Sequence, residues 1–289
     1  MTTAEIAVIG GSGLYALEEG FTPRERLDLE TPFGKPSDTI VVGEIAGRRV
    51  AFLPRHGVGH RISPTELPVR ANLWALKSLG VRKLISVSAV GSLKEEIAPL
   101  HLVVPDQLID RTKSRVNSFF EGGIVVHVGF ADPFCPQLSA LLASCADAAG
   151  ATVHRGGTLV VMEGPLFSTR AESELYRSWG ASIIGMTALP EAKLAREAEI
   201  CYAILACATD YDCWHPAHET VTVEMVVQNL LRNTALARQI IQSVVSRIDP
   251  STDCSCHHAL ANAIITDRRF ITEDHRRKYG ILIDKYLQS

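Results

Sequence analysis

The stretch Cys201-Tyr202-Ala203-Ile204-Leu205-Ala206-Cys207-Ala208 runs directly into Thr209-Asp210-Tyr211-Asp212-Cys213-Trp214. The first part is an uninterrupted apolar run of strand length, which predicts a strand buried on both faces. The second part is polar and aromatic, and His215-Pro216 then breaks the chain. Two carboxylates, Asp210 and Asp212, therefore stand just beyond the C-terminal end of a core strand. In open α/β sheets that edge is where ligands bind. Two nearby carboxylates can also hold different protonation states, because each raises the proton affinity of the other. One can then donate a proton while the other accepts hydrogen bonds. A polar surface turn or a helix cap accounts equally for an isolated Asp.

Working outward, the same grammar recurs: an apolar run, then small or polar residues. Glu5–Ile9 reads as a strand closing on Gly10-Gly11-Ser12-Gly13. Such a loop can bring backbone amides to an anion, or be a tight turn. Gly11, Gly13 and Ala16 also fit the dinucleotide fingerprint, although residues 18–36 lack the amphipathic helix that should follow. Thr39–Glu44 and Arg49–Leu53 alternate about Ala46-Gly47 as a hairpin, which ends in Pro54-Arg55-His56-Gly57. Arg55 and His56 together suit phosphate or carboxylate. His56 and His60 have a helical zinc spacing, but Gly57 and Gly59 argue against a helix there.

Ser63-Pro64-Thr65-Glu66 has the pattern of a helix start, and Leu67, Ala71, Trp74, Ala75 and Leu79 supply its apolar face. Lys83–Val87 is the next strand, closing on Ser88-Ala89-Val90-Gly91-Ser92. Leu102–Ile109 reads as one extended run and Ile124–Val128 as a strand. A helix over 137–149, a strand Thr158–Met162 and a helix from Phe167-Ser168-Thr169 to Trp179 follow. Ser182–Gly185 leads to Met186-Thr187 and a helix through Glu197. Residues 221–247 read as one long helix with Val223, Val226, Val227 and Leu230 on one face, the ordinary mark of a core stripe.

Composition sets bounds. The chain has 289 residues, 46% of them hydrophobic, enough for a sizeable core. A net charge of -3 and no basic cluster give no case for nucleic acid or a membrane surface. Residues 1–5 lack the charged-then-apolar pattern of a secretory signal, and no apolar run approaches bilayer-spanning length. Seven scattered cysteines suit a reducing cytoplasm. In the tail, Cys254-Ser255-Cys256-His257-His258 could invite zinc, but no second ligand pair stands at finger spacing. Free thiols are expected there, with a labile bridge as the alternative. Cys135 reads as a packed thiol.

The motifs in order are Ile9-Gly10-Gly11-Ser12-Gly13-Leu14, Pro54-Arg55-His56-Gly57, Arg70–Lys77, Ser88–Leu93, Asp106–Thr112, Glu163-Gly164-Pro165, Phe167–Ser173 and Thr209–Trp214. Together they resemble the trimeric purine nucleoside phosphorylase family, on its methylthioadenosine-cleaving branch. The resemblance spans roughly residues 5–247. It implies an α/β fold with a mixed central sheet flanked by helices, over 1–248, and a helical C-terminal extension, 249–289. It implies phosphorolysis of S-methyl-5'-thioadenosine to adenine and 5-methylthioribose 1-phosphate. Inorganic phosphate is then the co-substrate, with no cofactor and no metal, in a cytoplasmic homotrimer or dimer of trimers.

Carried over by motif, Ser12, Arg55, His56, Ser88, the Ala89 amide and Thr187 hold phosphate. Met186 packs on the ribose and Phe167 on the base. Asp210 protonates or hydrogen-bonds N7, and Asp212 accepts from the 6-amino group. Ser168 and Val223 tune specificity, and Val223, Val226 and Val227 meet the methylthio group. Adenosine is then a poorer substrate by about 1–3 kcal/mol. His127 is the matching residue for a contribution from the neighbouring subunit. The chain departs from the family pattern at Leu166, where Arg is usual, at Val69 and at Leu100-His101. Leu166 removes a charge beside the base pocket. The rival readings are a methylthioinosine or broader 6-oxopurine phosphorylase, a dinucleotide-dependent oxidoreductase resting on Gly11, Gly13 and Ala16, and a noncatalytic nucleoside binder.

Overall fold

A computed structural model describes residues 3–17, 20–216 and 223–287. Among them, eleven strands form one mixed sheet: β1 (Ile6–Gly10), β2 (Thr22–Leu27), β3 (Ile40–Ile45), β4 (Arg48–Pro54), β5 (Lys83–Ser92), β6 (Leu102–Val104), β7 (Gln107–Arg111), β8 (Val153–Arg155), β9 (Thr158–Met162), β10 (Ile183–Gly185) and β11 (Cys201–Asp210). The helices are α1 (Val69–Ser78), α2 (Pro136–Ala148), α3 (Arg170–Ser178), α4 (Ala188–Glu197), α5 (Val223–Arg247) and α6 (Glu273–Leu287).

The centre is parallel. β1 pairs with β4 on one side and β5 on the other, and β5 pairs with β11. Every residue of β11 is buried, as the apolar run requires. Side chains alternate between faces. Ala7 and Ile9 join the cluster of α1, α4 and α6, while Ile6 and Val8 join that of α2 and α5. The tail is woven into both: Leu260, Tyr279, Leu282 and Ile283 into the first, Cys254 and Cys256 into the second.

β5 is the branch point. Over 83–87 it lies between β1 and β11; at Gly91 and Ser92 it pairs with β10, antiparallel. Between them, at 88–90, its backbone has a strand partner only on the β11 side among the described residues. The sheet therefore opens a slot where main-chain groups are left for something other than a strand.

Several expectations are corrected. Leu102–Ile109 is two strands, not one. Pro105 has no N–H to continue the ladder, and β6 goes to β11 and β8 while β7 goes to β9. Residues 63–66 form their own turn, and α1 starts only at Val69, behind Pro68. Ile124–Val128 makes a single bridge, Val126 to Ile264, rather than a strand. β2 was not anticipated at all: it has no apolar alternation, being an exposed edge with an irregular register at Pro23–Glu25. The loop after β1 opens no helix among the described residues, so the dinucleotide fingerprint lacks the element that gives it meaning.

Candidate active site

One cavity of about 570 Å³ sits where β1, β4, β5, β10 and β11 end. Ser12, Arg55, His56, Ser88, Ala89, Phe167, Met186, Thr187, Asp210, Asp212 and Val227 all line it. Sequence reasoning had drawn these from segments far apart in the chain, and the fold brings them to one place. Ser168 lies behind the wall, its hydroxyl turned to the Met162 sulfur. Val223 and Val226 fall on α5, but their side chains lie outside the described residues. His127 bonds through its backbone to Ala263 and does not line this cavity.

At one end are the anion-suited groups. The continuation of β10, Met186-Thr187, runs beside the β5 slot, and the Ser88 and Thr187 hydroxyls stand 3.3 Å apart. Arg55 lies beneath. Its guanidinium is 1% exposed and paired with an equally buried Glu191. It donates through Nε and Nη2 to Glu191, through Nη2 to Ser86 Oγ and through Nη1 to the Val87 carbonyl. Of five N–H groups, one on Nη1 is left for a ligand. Glu191 also accepts from Tyr202 Oη at 2.9 Å. Gly11 explains how the loop comes so near: a Cβ there would lie 2.8 Å from Arg55 Nη1 and 2.5 Å from the Val87 carbonyl.

Glu191, Ser86 and Tyr202 were not singled out from sequence. The available signal was a carboxylate inside the apolar run Ala188-Leu189-Pro190-Glu191-Ala192. Arg115 was missed as well. Its guanidinium donates to the carbonyls of Met186, Leu189 and Glu163, fixing the segment that carries Met186 and Thr187.

His56 donates from Nδ1 to the Ile62 carbonyl at 2.8 Å, so neutral His56 keeps an acceptor at Nε2. Burial, then the Arg55 charge, pushes its pKa from 6.5 down to about 4. The unfolded chain therefore takes up this proton first as pH falls. Stability contributed by neutral His56 should be lost between about pH 6.5 and about pH 4, and change no further below. Urea unfolding in phosphate-free buffer should show that slope, and His56→Asn should flatten it. An unchanged slope in the variant would assign the effect elsewhere.

At the other end is the aspartate pair. The β11–β5 register slips between Ala208 and Asp210, and this bulge re-aims Asp210 into the cavity. A Cβ on Gly91 would stand 3.0 Å from Asp210 Oδ1, so the glycine makes room for the carboxyl. Asp210 Oδ1 accepts from the Asp212 amide at 2.8 Å. Thr209 Oγ1 is 2.6 Å from Asp210 Oδ2 and 3.2 Å from the Val90 carbonyl. The hydroxyl has a single proton. When it donates to Val90, a protonated Asp210 can donate to it in turn.

Burial raises the pKa of both aspartates above the usual range, with the Asp212 charge adding to Asp210's. Asp212 itself is held in a left-handed conformation, φ 51°. The loop behind is pinned by Tyr211 Oη to the Glu95 carbonyl, by Trp214 Nε1 to the Ser92 carbonyl, and by Arg177 3.6 Å over the Trp214 ring. Between the two ends the walls are apolar: Phe167 and Met186 on one side, Val227, Leu230 and Leu231 of α5 on the other.

Residues 5–246 match the family model described as the phosphorylase superfamily. The chain belongs to the phosphorylase superfamily. This phosphorylase is 61% identical over 287 residues to the S-methyl-5'-thioadenosine phosphorylase of Chloroflexus aurantiacus, covering 99% of each chain. It is 56% identical to that of Geobacter sulfurreducens, covering 98% of this chain and 99% of the relative. Among solved structures, a methylthioadenosine phosphorylase sourced from an antarctic soil metagenomic library superposes with a TM-score of 0.93 at 48% identity, over 98% and 100% of the two chains. A methylthioadenosine phosphorylase from Schistosoma mansoni, solved in complex with adenine, gives 0.85 at 36%, over 89% and 96%. Among the described residues, no helix of this phosphorylase is long and apolar enough to cross a membrane.

Proposed function

We propose that the chain cleaves S-methyl-5'-thioadenosine with inorganic phosphate, releasing adenine and 5-methylthioribose 1-phosphate. The observation that carries this reading is one cavity with two unlike ends: buried carboxyls of raised pKa at one, an arginine-backed cluster of hydroxyls and a main-chain slot at the other. The near-full-length similarity to methylthioadenosine phosphorylases supports it.

In the proposed reaction the bond from C1' to the purine breaks and a bond from C1' to a phosphate oxygen forms. The bonding electrons leave with the base, and Asp210 gives or shares a proton at N7 so that adenine departs neutral. Ser12, Arg55, His56, Ser88, the Ala89 amide and Thr187 fix the phosphate below the sugar. A fixed anion both attacks and stabilises the positive charge growing on the ribose, so positioning and electrostatics supply most of the acceleration. Met186 and Phe167 hold ribose and base, Asp212 takes the 6-amino group with Ser168 behind it, and the α5 valines Val223, Val226 and Val227 shelter the methylthio group. The same reading includes no cofactor, a homotrimer or dimer of trimers, and a cytoplasmic setting.

The decisive assay follows adenine release with and without phosphate. Release should depend strictly on phosphate; equal release in its absence would mean hydrolysis. Asp212→Asn should shrink the preference for methylthioadenosine over methylthioinosine by about tenfold or more, because an amide can turn a donor toward a 6-oxo group. Competition between the two nucleosides measures this, and an unaltered ratio would remove Asp212 from base recognition.

A further inference from the structure

Four thiols that the proposed reaction does not use meet at the opposite end of β11. We infer that Cys135, Cys201, Cys254 and Cys256 form a tetrathiolate site for one zinc ion. All four are buried, and their sulfurs lie within 4.8 Å of one another. Cys135 and Cys254 are 3.7 Å apart. Zinc bonded to four sulfurs at about 2.3 Å needs neighbouring sulfurs about 3.8 Å apart, so the cluster has the size of the ion's tetrahedron within about 1 Å. The ligands come from three remote segments: the residue before α2, the first residue of β11, and the Cys-x-Cys of the tail. The second ligand pair that finger spacing lacks is thus supplied by the fold.

The surroundings suit thiolates. Lys83 is buried, and among the described residues its ammonium meets the Thr252 carbonyl at 3.5 Å and Cys201 Sγ at 4.0 Å but forms no ion pair with a carboxylate. A zinc ion with four thiolates carries a net charge of minus two and gives that cation its counter-charge. Arg82 donates to His257 Nδ1 at 2.9 Å, which leaves the proton of neutral His257 on Nε2, 3.4 Å from Cys201 Sγ. An N–H aimed at a sulfur is the outer support that metal-bound thiolates take. Cys135 precedes the first turn of α2, where the helix favours negative charge. On binding, each thiol releases its proton to solvent and forms one Zn–S bond; no oxidant takes part. The ion would tie the tail to the strand that carries Asp210, but roughly 30 Å from the carboxyl itself. The inference is therefore independent of the reading of the cavity.

The test is metal analysis of the full-length chain, made untagged with zinc supplied and kept under thiol reductant. One zinc per chain is expected by plasma mass spectrometry, and its loss in Cys256→Ser. Because that variant could fail to fold, the parent is also loaded with cobalt. Tetrahedral cobalt thiolate bands, together with strong sulfur-to-cobalt charge transfer, are expected. Chelator should lower the melting temperature of the parent while initial adenine release at 25 °C stays within about twofold. Absence of zinc with all thiols titratable after denaturation, a mass deficit showing disulfides among the four, or a cobalt spectrum lacking thiolate bands would each overturn the site. So would full zinc content in a folded Cys256→Ser protein.

Discussion

Replacing Asp210 with Ala should lower kcat/KM for methylthioadenosine by about 10²–10⁴-fold, the usual contribution of a positioned general acid. The loss should appear in kcat, because in the proposed reaction the carboxyl meets the base most strongly as charge develops on it. Stability should not fall with it. Burial raises the Asp210 pKa, so the folded state disfavours its charged form. For such a group the stabilising protonated form is fully present below the unfolded pKa and is lost as pH rises through the folded one. Wherever the carboxyl is ionised it is therefore a cost, and the Ala variant should there unfold at the same or higher denaturant concentration. Asp210→Asn separates proton transfer from hydrogen bonding. It keeps a donor for N7 but no transferable proton, and should fall between the parent and the Ala variant. Parallel loss of activity and stability in Asp210→Ala would instead mark the residue as structural.

The second large effect concerns stability. Glu191→Ala strips the counter-charge from a guanidinium that is 1% exposed. Removing one partner of a buried pair typically costs about 3–5 kcal/mol, because the other charge is left uncompensated. Tyr202 Oη and Ser86 Oγ lose their shared acceptor as well. Urea unfolding should shift by that amount, a large part of a typical domain's total stability. Saturating phosphate should restore more stability to the variant than to the parent, since an anion beside Arg55 then does part of the work of the missing carboxylate. Changing Arg55 and Glu191 together to apolar residues should recover stability but not activity. A loss below about 1 kcal/mol for Glu191→Ala would place the pair among surface-like ion pairs.

The parallel centre of the sheet was legible because its strands are built on mostly apolar runs that give way to small or polar residues, at Gly10 in β1, at Ser88 within β5 and at Thr209 near the end of β11. Residues such as Ser12, Arg55 and Asp210 could be named because they stand at those ends. What escaped was either polar or brief. β2 carries Pro23, Arg24, Glu25 and Arg26, and no periodicity marks it. β8 has three residues, too few for any pattern. Glu191 and Arg115 escaped for a different reason. Each acts through a partner more than 45 residues away, 136 for Glu191 with Arg55 and 71 for Arg115 with Met186, and such pairing is a property of the folded chain alone. The tail cysteines show the same limit: Cys254 and Cys256 looked solitary until the sheet brought Cys135 and Cys201 beside them.

The slot in β5 bears on how such an enzyme could change over evolutionary time. Its contribution at Ser88–Ala89 includes peptide groups, and these survive nearly any codon change at those positions. In the proposed reading, recognition of the nucleobase and of the 5' substituent rests on replaceable side chains. Selection for new nucleosides would thus find many accessible routes on that half, while the share of oxyanion binding that the proposed reading gives to peptide groups would pass through most substitutions unchanged.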